Sequence, residues 1–316
     1  MLWRTTDLDV VFLSYDEPTA DSNFQALLSC APRAPKRVHG VKGFHAAYSA
    51  AAEVSTTDRF ITIDADSVVR NELFAVELDD QDMPDVVFAF AARNSVNGLT
   101  CGNGSVKCWP KDLLQQSHTH ESAITGPRQV DFHFAYRYWR TPIVGSENCF
   151  ASTPYHAFRA GYREAVKLSL INGQKLDCWS ETKSQITRQK WSRLLVWLSV
   201  GADVPNGLWA ILGARVAVAD LWVRKTTRPE QIAEYDFLSN LWRKHHRCDL
   251  RAALVEHERI LNELSIQAPL LEPPTSRWFK QAYVNYPLQG LFDYTGKIGP
   301  KLDEANEHQE AIKVCG

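Results

Sequence analysis

Residues 60–69 read FITIDADSVV, in which an apolar, β-branched run ends in two aspartates separated by one alanine. A run of this kind is typical of a buried strand, which we predict over residues 59–63. Asp64 and Asp66 then stand at the carboxyl end of that strand, which is the edge where open α/β sheets bind their ligands. Both the fold and the function depend on what these two carboxylates do.

Strand-like and helix-like segments alternate on both sides of this stretch. DVVFLSY (9–15), RVHGV (37–41) and DVVFAFA (85–91) are typical of further strands, and GFHAAYSAAAEV (43–54) is typical of a helix. The alternation predicts an α/β fold with a mostly parallel sheet and helices on both faces. Because the carboxyl ends of parallel strands share one edge, we expect the polar residues that follow each strand to converge there.

The second half of the chain is predicted to be helical. TPYHAFRAGYREAVKLSL (153–170) begins with a Thr–Pro pair that suits an N-cap and a first helical position. Further helices are expected near residues 188–200, 206–222, 229–242 and 247–264. We therefore predict an α/β core over residues 1–150 and a helical region over residues 151–316, with a Pro-rich tail wrapped on the rest.

The composition is that of an ordinary globular protein, but the charge is unevenly distributed. Of the 316 residues, 45% are hydrophobic and 23% are charged, and the formal net charge is −2. Residues 1–124 carry 10 Lys and Arg against 17 Asp and Glu, whereas residues 125–260 carry 20 against 13. An acidic part followed by a basic, aromatic-rich part suggests a metal-binding role for the first and an anionic partner for the second.

Cysteine usage and hydropathy favour a cytoplasmic protein. The seven cysteines are odd in number and none is spaced as CxxC, which argues against a disulfide framework or a zinc knuckle. The N-terminus does not read as a signal peptide, and no apolar run approaches the roughly 20 residues that span a bilayer. We therefore expect no membrane association, and the sequence gives no indication of a protein partner.

The residues themselves leave three roles open for Asp64 and Asp66. An aspartate at a strand end often caps a helix or solvates a turn. Once the strand turns, both carboxylates can instead approach one Mg²⁺ or Mn²⁺ ion, a chemistry that suits a nucleoside diphosphate leaving group. A third role is the nucleophile of a phosphatase of the haloacid-dehalogenase type, although that motif usually follows the first strand and here other strands and helices precede it.

The order of the segments resembles the nucleotide-binding half of a GT-A glycosyltransferase. The resemblance rests on DVVFLSYDE (9–17) and KGFHAAYSAAAEVSTTDRFITIDADS (42–67), and it covers roughly residues 8–110. It implies a Rossmann-like core over residues 1–150 that binds a UDP-sugar with Mn²⁺ or Mg²⁺. Residues 151–316 would then form a helical region on the acceptor side.

This resemblance assigns roles residue by residue. It places Tyr15, Asp16 and Glu17 against the uridine, Lys42 and Gly43 near the ribose or diphosphate, and Asp64 and Asp66 at the metal. Asp66 is the first choice as the direct metal ligand. His156 is a candidate to complete the metal shell, as a late histidine does in some members of the fold.

Three later segments resemble glycosyltransferases encoded by tailed bacteriophages. They are NGLTCGNGSVKCWPKDLL (97–114), VDFHF (130–134) and STPYHAFRAGYREAVKLSL (152–170). The related loop reads approximately NGLxYGxGGxKxxP and the related helix approximately PFxxWRxxFRExVKL, so this chain departs at Cys101, Ser105 and Phe158. Several phages use such enzymes to glycosylate hydroxymethylated pyrimidines in their own DNA, and the same fold also decorates surface polysaccharide.

The acceptor side has its own candidate residues. A glycine-rich loop suits sugar hydroxyls or an acceptor, and its candidates are Asn97, Gly102, Asn103, Gly104 and Lys107. If the reaction inverts the anomeric centre, a carboxylate must deprotonate the acceptor hydroxyl. Asp131 is the first choice for that base and Glu147 the second, whereas a retaining reaction needs no such base.

Cations recur through the helical region, often beside aromatic residues. Arg159, Arg163 and Lys167 fall at i, i+4 and i+8 of a predicted helix, so they form a stripe that could face a diphosphate or a nucleic-acid backbone. Cations and aromatics also mix at residues 133–140, 188–193, 223–228 and 242–247. Cations neutralise phosphates and aromatic rings stack on an extruded base, although solvated helix faces over a core would give the same pattern.

Taken together, the sequence predicts a metal-dependent GT-A glycosyltransferase with a C-terminal helical extension. The predicted reaction moves a sugar from a UDP-sugar to 5-hydroxymethylcytosine or a related base in double-stranded DNA, in the host cytoplasm if the gene is phage-encoded. A glycosyltransferase acting on a surface glycan and a phosphatase stay open as alternatives. A non-catalytic nucleic-acid binder is a fourth interpretation, but it would have no need of Asp64 and Asp66.

Overall fold

The computed structural model describes residues 1–81, 83–101, 105–116 and 137–285, which form a mixed α/β fold. The strands are β1 (Leu2–Arg4), β2 (Asp9–Ser14), β3 (Lys36–His39), β4 (Arg59–Asp64), β5 (Ser67–Val69), β6 (Glu77–Asp79), β7 (Val87–Asn94), β8 (Thr100–Cys101), β9 (Val106–Pro110) and β10 (Tyr138–Asn148). The α-helices are α1 (Ala20–Cys30), α2 (Phe44–Val54), α3 (Lys111–Gln116), α4 (Pro154–Leu168), α5 (Trp179–Gln185), α6 (Arg188–Ser199), α7 (Gly207–Val218), α8 (Tyr235–His245), α9 (Leu250–Glu263) and α10 (Pro273–Asn285).

The main sheet has the strand order β3-β2-β4-β9-β7-β10-β5, with β8 paired to β7, and β1 and β6 form a separate two-stranded sheet. Strands β2, β3 and β4 are parallel to one another, and so are β7 and β10. Strand β9 lies antiparallel between β4 and β7, and β5 and β8 are antiparallel to their neighbours. The expectation of a mostly parallel sheet is therefore corrected to a mixed one. Residues 95–105 are too few for the helical crossover that a parallel β9 would need.

Both faces of this sheet are covered by helices, as the sequence predicts. Alternate residues of a strand point to opposite faces. Val10 and Phe12 of β2 therefore pack with α1, whereas Val11 and Leu13 pack with α2. Because both faces are covered, β2 and β4 are buried almost throughout rather than at alternate residues.

Helix α4 begins as the Thr–Pro pair predicts. Thr153 is the N-cap, and its hydroxyl oxygen accepts a hydrogen bond from the His156 backbone N–H at 3.2 Å. Pro154 occupies the first helical position, where a missing N–H costs nothing. The cap fixes where the first turn of α4 lies, and that turn carries His156 towards the sheet edge described below.

A large hydrophobic cluster holds the helical region together. It is formed mainly by α4, α6, α7 and α9, and it buries Trp197 and Trp222. Val96 and Leu99, from the turn after β7, belong to the same cluster. This cluster contains residues from both predicted parts, 1–150 and 151–316. The domain boundary at residue 150 therefore stays a prediction.

Helix α10 returns to the body of the protein. The Lys280 ammonium lies 2.7 Å from the Asp203 carboxylate, and Ser276 donates a hydrogen bond to the same carboxylate at 2.9 Å. Gly98 lies so close to this helix that an added Cβ would be 3.1 Å from Lys280 Cγ. Within the helices that the structure describes, none is long and apolar enough to cross a membrane.

Helices α4 and α7 cross in direct backbone contact. A Cβ added to Gly161 would lie 1.9 Å from the carbonyl oxygen of Ala210. One added to Gly213 would lie 2.1 Å from the carbonyl oxygen of Phe158. Each helix therefore contributes one glycine to a contact that no larger residue permits.

We predict that Gly161→Ala lowers the free energy of unfolding by about 3 kcal/mol, because two backbones must separate to admit the new methyl group. Urea denaturation would measure the change. Gly40→Ala is the matched control, since Gly40 has open space around it and a φ of +74°. Its backbone strain alone is expected to cost about 1 kcal/mol. A loss for Gly161→Ala no larger than that of the control would contradict the backbone contact.

Candidate functional site

The backbone of the acidic turn, residues 64–66, is fixed by three hydrogen bonds. The Asp64 N–H donates to the carbonyl of Ser105 at 3.1 Å. The Ala65 carbonyl accepts from Asn23 Nδ2 at 2.8 Å. The Asp66 carbonyl accepts from the Cys149 N–H at 2.6 Å. The partners come from the segment before β9, from α1 and from the residue after β10. Three separate parts of the chain thus hold the turn in one shape.

A cluster of polar side chains supports the same turn. The hydroxyl of Ser105 donates to Asn148 Oδ1 at 2.7 Å, and the hydroxyl of Ser67 donates to the same oxygen at 3.0 Å. The two hydroxyls also contact each other. The side chain of Ser105 therefore links β5 to the end of β10, a contact that a glycine at this position could not make.

Asp64 lies between a phenol and a buried ammonium. The Tyr48 hydroxyl of α2 donates to Asp64 Oδ1 at 3.3 Å. Burial raises the pKa of Asp64 and the carboxylate of Glu17 adds to the rise, whereas Lys107 and the Tyr48 hydrogen bond oppose it. Lys107 is 5% exposed and lies within β9, so it is a strand residue rather than part of the predicted loop.

The pKa of Asp66 is raised as well. Burial first, and then the charges of Asp64 and Glu17, raise the pKa of Asp66 to about 7, while Arg159 of α4 opposes the rise. Glu17, which follows β2, and the acidic turn, which follows β4, therefore meet at the carboxyl edge of the sheet, as the topology predicts. Crowded carboxylates of this kind are stabilised by a cation, which lowers their mutual repulsion.

His156 approaches this group from the first turn of α4. Its Nδ1 lies 2.7 Å from the Thr153 hydroxyl, which orients the ring and leaves Nε2 as the nitrogen that could meet a ligand. Burial and the charge of Arg159 lower the pKa of His156, while Asp16 and Glu17 raise it. The ring is therefore held mostly in its neutral form, which is the form that binds metals.

The chemistry of these side chains fits a hard divalent cation. Two carboxylates suit Mg²⁺ or Mn²⁺, and an imidazole nitrogen is better tolerated by Mn²⁺. Over residues 1–81, 83–101, 105–116 and 137–285, no three His, Cys, Asp or Glu side chains form a group that could hold a metal ion by themselves. Asp64, Asp66 and His156 are accordingly not a ready-made three-ligand cage, and a cation here would take further ligands from a bound substrate.

The residues predicted to bind the nucleotide lie along the same edge. Tyr15 is 42% exposed, and its backbone N–H donates to the Glu17 carboxylate at 2.8 Å, which folds that carboxylate back on its own turn. Asp16 is exposed. Lys42 is exposed as well, and Gly43 is the N-cap of α2 with a φ of +96°, a conformation that favours glycine.

The predicted acceptor residues divide into described and undescribed ones. Asn97 is fully buried, and its side-chain oxygen accepts from the Leu99 N–H at 3.2 Å, so it stabilises a turn. Glu147 lies in β10. The pKa of Cys149 is raised, mainly by burial and in addition by the negative charges of Glu147 and Asp66. Four further candidates lie outside the described residues: Gly102, Asn103, Gly104 and Asp131.

The cationic stripe on α4 does not act as one surface. Arg159 lies between the rings of Tyr155 and Tyr235 and is close enough to Asp66 to lower its pKa. Arg163 is half-buried. Lys167 forms an ion pair with Glu164 at 2.6 Å. Arg159 is therefore the member of the stripe that the structure brings to the acidic turn.

Sequence reasoning missed several supporting residues. Three of them, Asn23, Ser67 and Asn148, act through contacts between distant segments, so no local sequence pattern predicts them. Tyr48 could have been found, because it precedes the buried Ala51 and Ala52 by three and four residues and so shares their face of α2. A hydroxyl on that face, next to a strand ending in aspartate, is a predictable partner.

We predict that Asp66→Asn stabilises the protein at high pH. The pKa of Asp66 is raised in the folded state, so the folded protein binds more protons than the unfolded chain between about pH 4 and 7, and its stability falls as the pH rises through that range. An asparagine stays neutral. The gain should be absent near pH 4 and reach on the order of 2 kcal/mol above pH 7.

Chemical denaturation at a series of pH values, with a chelator present, measures this difference. Asp177→Asn is the matched control because Asp177 is exposed. Equal pH dependence of the two variants would show that Asp66 titrates as an ordinary carboxylate.

Comparison with known proteins adds little. No protein-family model matches the chain, and no curated protein matches it. A solved mannosyltransferase from Pyrobaculum calidifontis, in complex with GDP-Man and Mn²⁺, is similar over 91% of this chain and 90% of that chain. The two are 12% identical and superpose with a TM-score of 0.35, a likeness too weak to support any conclusion about function.

Proposed function

We propose that this protein is a glycosyltransferase that uses a nucleotide sugar and a divalent cation at the acidic turn. The observation that carries the proposal is the meeting of Glu17, Asp64 and Asp66 at the carboxyl edge of the sheet, where burial first and then the neighbouring carboxylates raise the pKa of Asp66 to about 7. A folded protein retains such repulsion at a cost in stability, and sites of this kind are more often functional than structural.

The residues present suggest how the site would be used. Asp66 and Asp64 would hold Mn²⁺ or Mg²⁺, with Nε2 of His156 as a further donor. When bound, the cation neutralises the negative charge that develops on a departing diphosphate. Arg159 and Lys107 add positive charge on either side of the acidic turn. Both cations can therefore help to orient an anionic substrate.

The donor and the acceptor are finer parts of the proposal. A UDP-sugar is proposed as donor because the chain after β2 resembles a uridine-binding loop, with Tyr15, Asp16 and Glu17 at the carboxyl edge. The proposed acceptor is 5-hydroxymethylcytosine or a related base in DNA, since residues 125–260 are rich in cations and three segments resemble phage enzymes. Glu147 is the candidate base within the described residues for an inverting reaction.

One observation weighs against the phosphatase alternative. A nucleophilic aspartate must be ionised to attack phosphorus, and Asp64 would fill that role as the first acid of the motif. Its pKa is raised, and one of its oxygens accepts a hydrogen bond from Tyr48. The raised pKa reduces the ionised fraction of Asp64, and the hydrogen bond engages one of the two oxygens that could attack.

We expect UDP to bind in a Mn²⁺-dependent manner, and Asp66→Ala to abolish that dependence. Because Asp66 must lose its proton to bind the ion, UDP affinity in Mn²⁺ should increase as the pH rises through about 7. Isothermal titration calorimetry with and without Mn²⁺ measures both effects. The control is Asp177→Ala, which should bind UDP as the unchanged protein does. If UDP binding to Asp66→Ala still depends on Mn²⁺, the acidic turn is not the metal site.

We further expect sugar transfer to DNA that contains hydroxymethylcytosine. The unchanged protein would be incubated with UDP-sugars and this DNA, and the digested nucleosides would be examined by mass spectrometry. A mass increase of one sugar on hydroxymethylcytosine is the expected result, and DNA with unmodified cytosine is the control. If no UDP-sugar produces the increase while UDP still binds with Mn²⁺, the DNA acceptor is wrong and the donor half of the proposal stands.

A further inference from the structure

A continuous aromatic surface leads away from the candidate site. Tyr155, next to His156 on α4, has its ring 6.0 Å from that of Trp242 on α8. Its hydroxyl lies 3.2 Å from the Ser239 hydroxyl, which ties the two helices together. Trp242 in turn lies 5.0 Å from Trp209. These rings are only partly buried, so together they form an aromatic seam at the surface.

Arg159 joins this seam to the acidic turn. Its guanidinium lies 5.8 Å from the ring centre of Tyr155 and 5.7 Å from that of Tyr235. The same guanidinium lowers the pKa of Asp66. Tyr235 is 63% exposed, although a large aromatic ring on a helix is usually turned inward. A ring held by a cation and open on its other side is ready to receive a planar group.

The far end of α8 carries exposed positive charge. Arg243, Lys244 and Arg247 are all exposed, and none forms an ion pair within residues 137–285 or elsewhere in the described part of the chain. Arg243 donates a hydrogen bond to Asn240 and is otherwise directed to solvent. Acidic residues occur instead at the other end, where Glu234 and Asp236 flank Tyr235. The positive charge is therefore concentrated beyond Trp242.

We propose that this α8 face, formed by Tyr155, Arg159, Tyr235, Trp242, Arg243, Lys244 and Arg247, binds an unpaired stretch of a nucleic-acid strand. A base would stack on Tyr235, and phosphates would meet the cations in and after the last turn of α8. The proposal rests on the proposed function in one respect: it makes this strand the acceptor, delivered past Arg159 to the acidic turn.

The combination of rings and cations selects nucleic acid over a neutral glycan. Sugar rings also stack on aromatic side chains, but they offer nothing to three exposed cations. Single-stranded nucleic acid supplies both a flat base and a charged phosphate at each nucleotide, and proteins that bind it combine stacking rings with a positive groove. A base must also leave its duplex before an enzyme can modify it, which requires a surface for unpaired nucleotides.

The test is binding of a short fluorescent single-stranded oligodeoxynucleotide, measured by anisotropy at several salt concentrations. Tyr235→Ala is expected to weaken binding about tenfold through the lost stacking, whereas Tyr235→Phe keeps the ring and should bind as before. The double change Arg243→Gln with Lys244→Gln is expected to reduce the slope of log affinity against log salt by about 1.4.

Two control variants separate this face from general effects. Trp278→Ala removes an aromatic ring of α10 that is 59% exposed, and Arg4→Gln removes an exposed cation of β1. Neither should alter oligonucleotide binding. Circular dichroism confirms that every variant is folded. Equal binding by Tyr235→Ala and the unchanged protein, or equal losses in Trp278→Ala, would overturn the proposal.

The same samples distinguish this inference from the proposed function. If UDP binds with Mn²⁺ but oligonucleotide affinity is unaffected by the changes at Tyr235 and Arg243, the proposal for the α8 face is wrong and the donor site stands. If UDP does not bind but oligonucleotide affinity depends on both residues, the face stands and the transferase assignment fails. Competition by an anionic polysaccharide as effective as the oligonucleotide itself would overturn nucleic acid as the partner.

Discussion

The repulsion among carboxylates at the sheet edge is the constraint on which the rest of the site depends. Asp64 and Asp66 are separated by a single residue, and Glu17 is brought to them by the parallel pairing of β2 and β4. Such a group would move apart if its backbone were free to do so. Hydrogen bonds with Ser105, Asn23 and Cys149 prevent that, since each restrains a different residue of the turn.

Much of the central architecture follows from sequence because it is encoded locally. The apolar runs of β2 and β4 have few alternatives to a buried strand, and Thr153 with Pro154 marks the start of α4 within one residue. The edge residues Glu17, Asp64 and Asp66 could likewise be predicted, because parallel strands place their carboxyl ends together.

Other features could not be predicted because distant residues decide them. The segment VKCWP has no strand-like alternation, and it becomes β9 because β4 and β7 offer it hydrogen bonds on both sides. Lys107 therefore lies inside the sheet, where the nearby carboxylate of Asp64 helps to offset the cost of burying an ammonium. The supporting contacts of Asn23 and Asn148 are equally nonlocal, and each spans more than forty residues of chain.

The position of Arg159 connects two otherwise separate regions. It is held by the rings of Tyr155 and Tyr235 on one side and influences Asp66 on the other. Since α4 carries both His156 and Arg159, any shift of this helix moves a neutral imidazole and a cation together relative to the acidic turn. The placement of α4 thus sets the charge balance at the sheet edge.

The crossing of α4 and α7 has a consequence for how this protein can change over evolution. Where two helices meet through side chains, a substitution can be absorbed by a neighbouring side chain that adapts its shape. Gly161 and Gly213 leave no such layer, since each abuts a carbonyl group of the opposite helix. A descendant with a larger residue at either position must have altered this crossing, on which the position of Arg159, two residues from Gly161, also depends. These two glycines can therefore serve as markers, in any related sequence, of whether this geometry has been inherited.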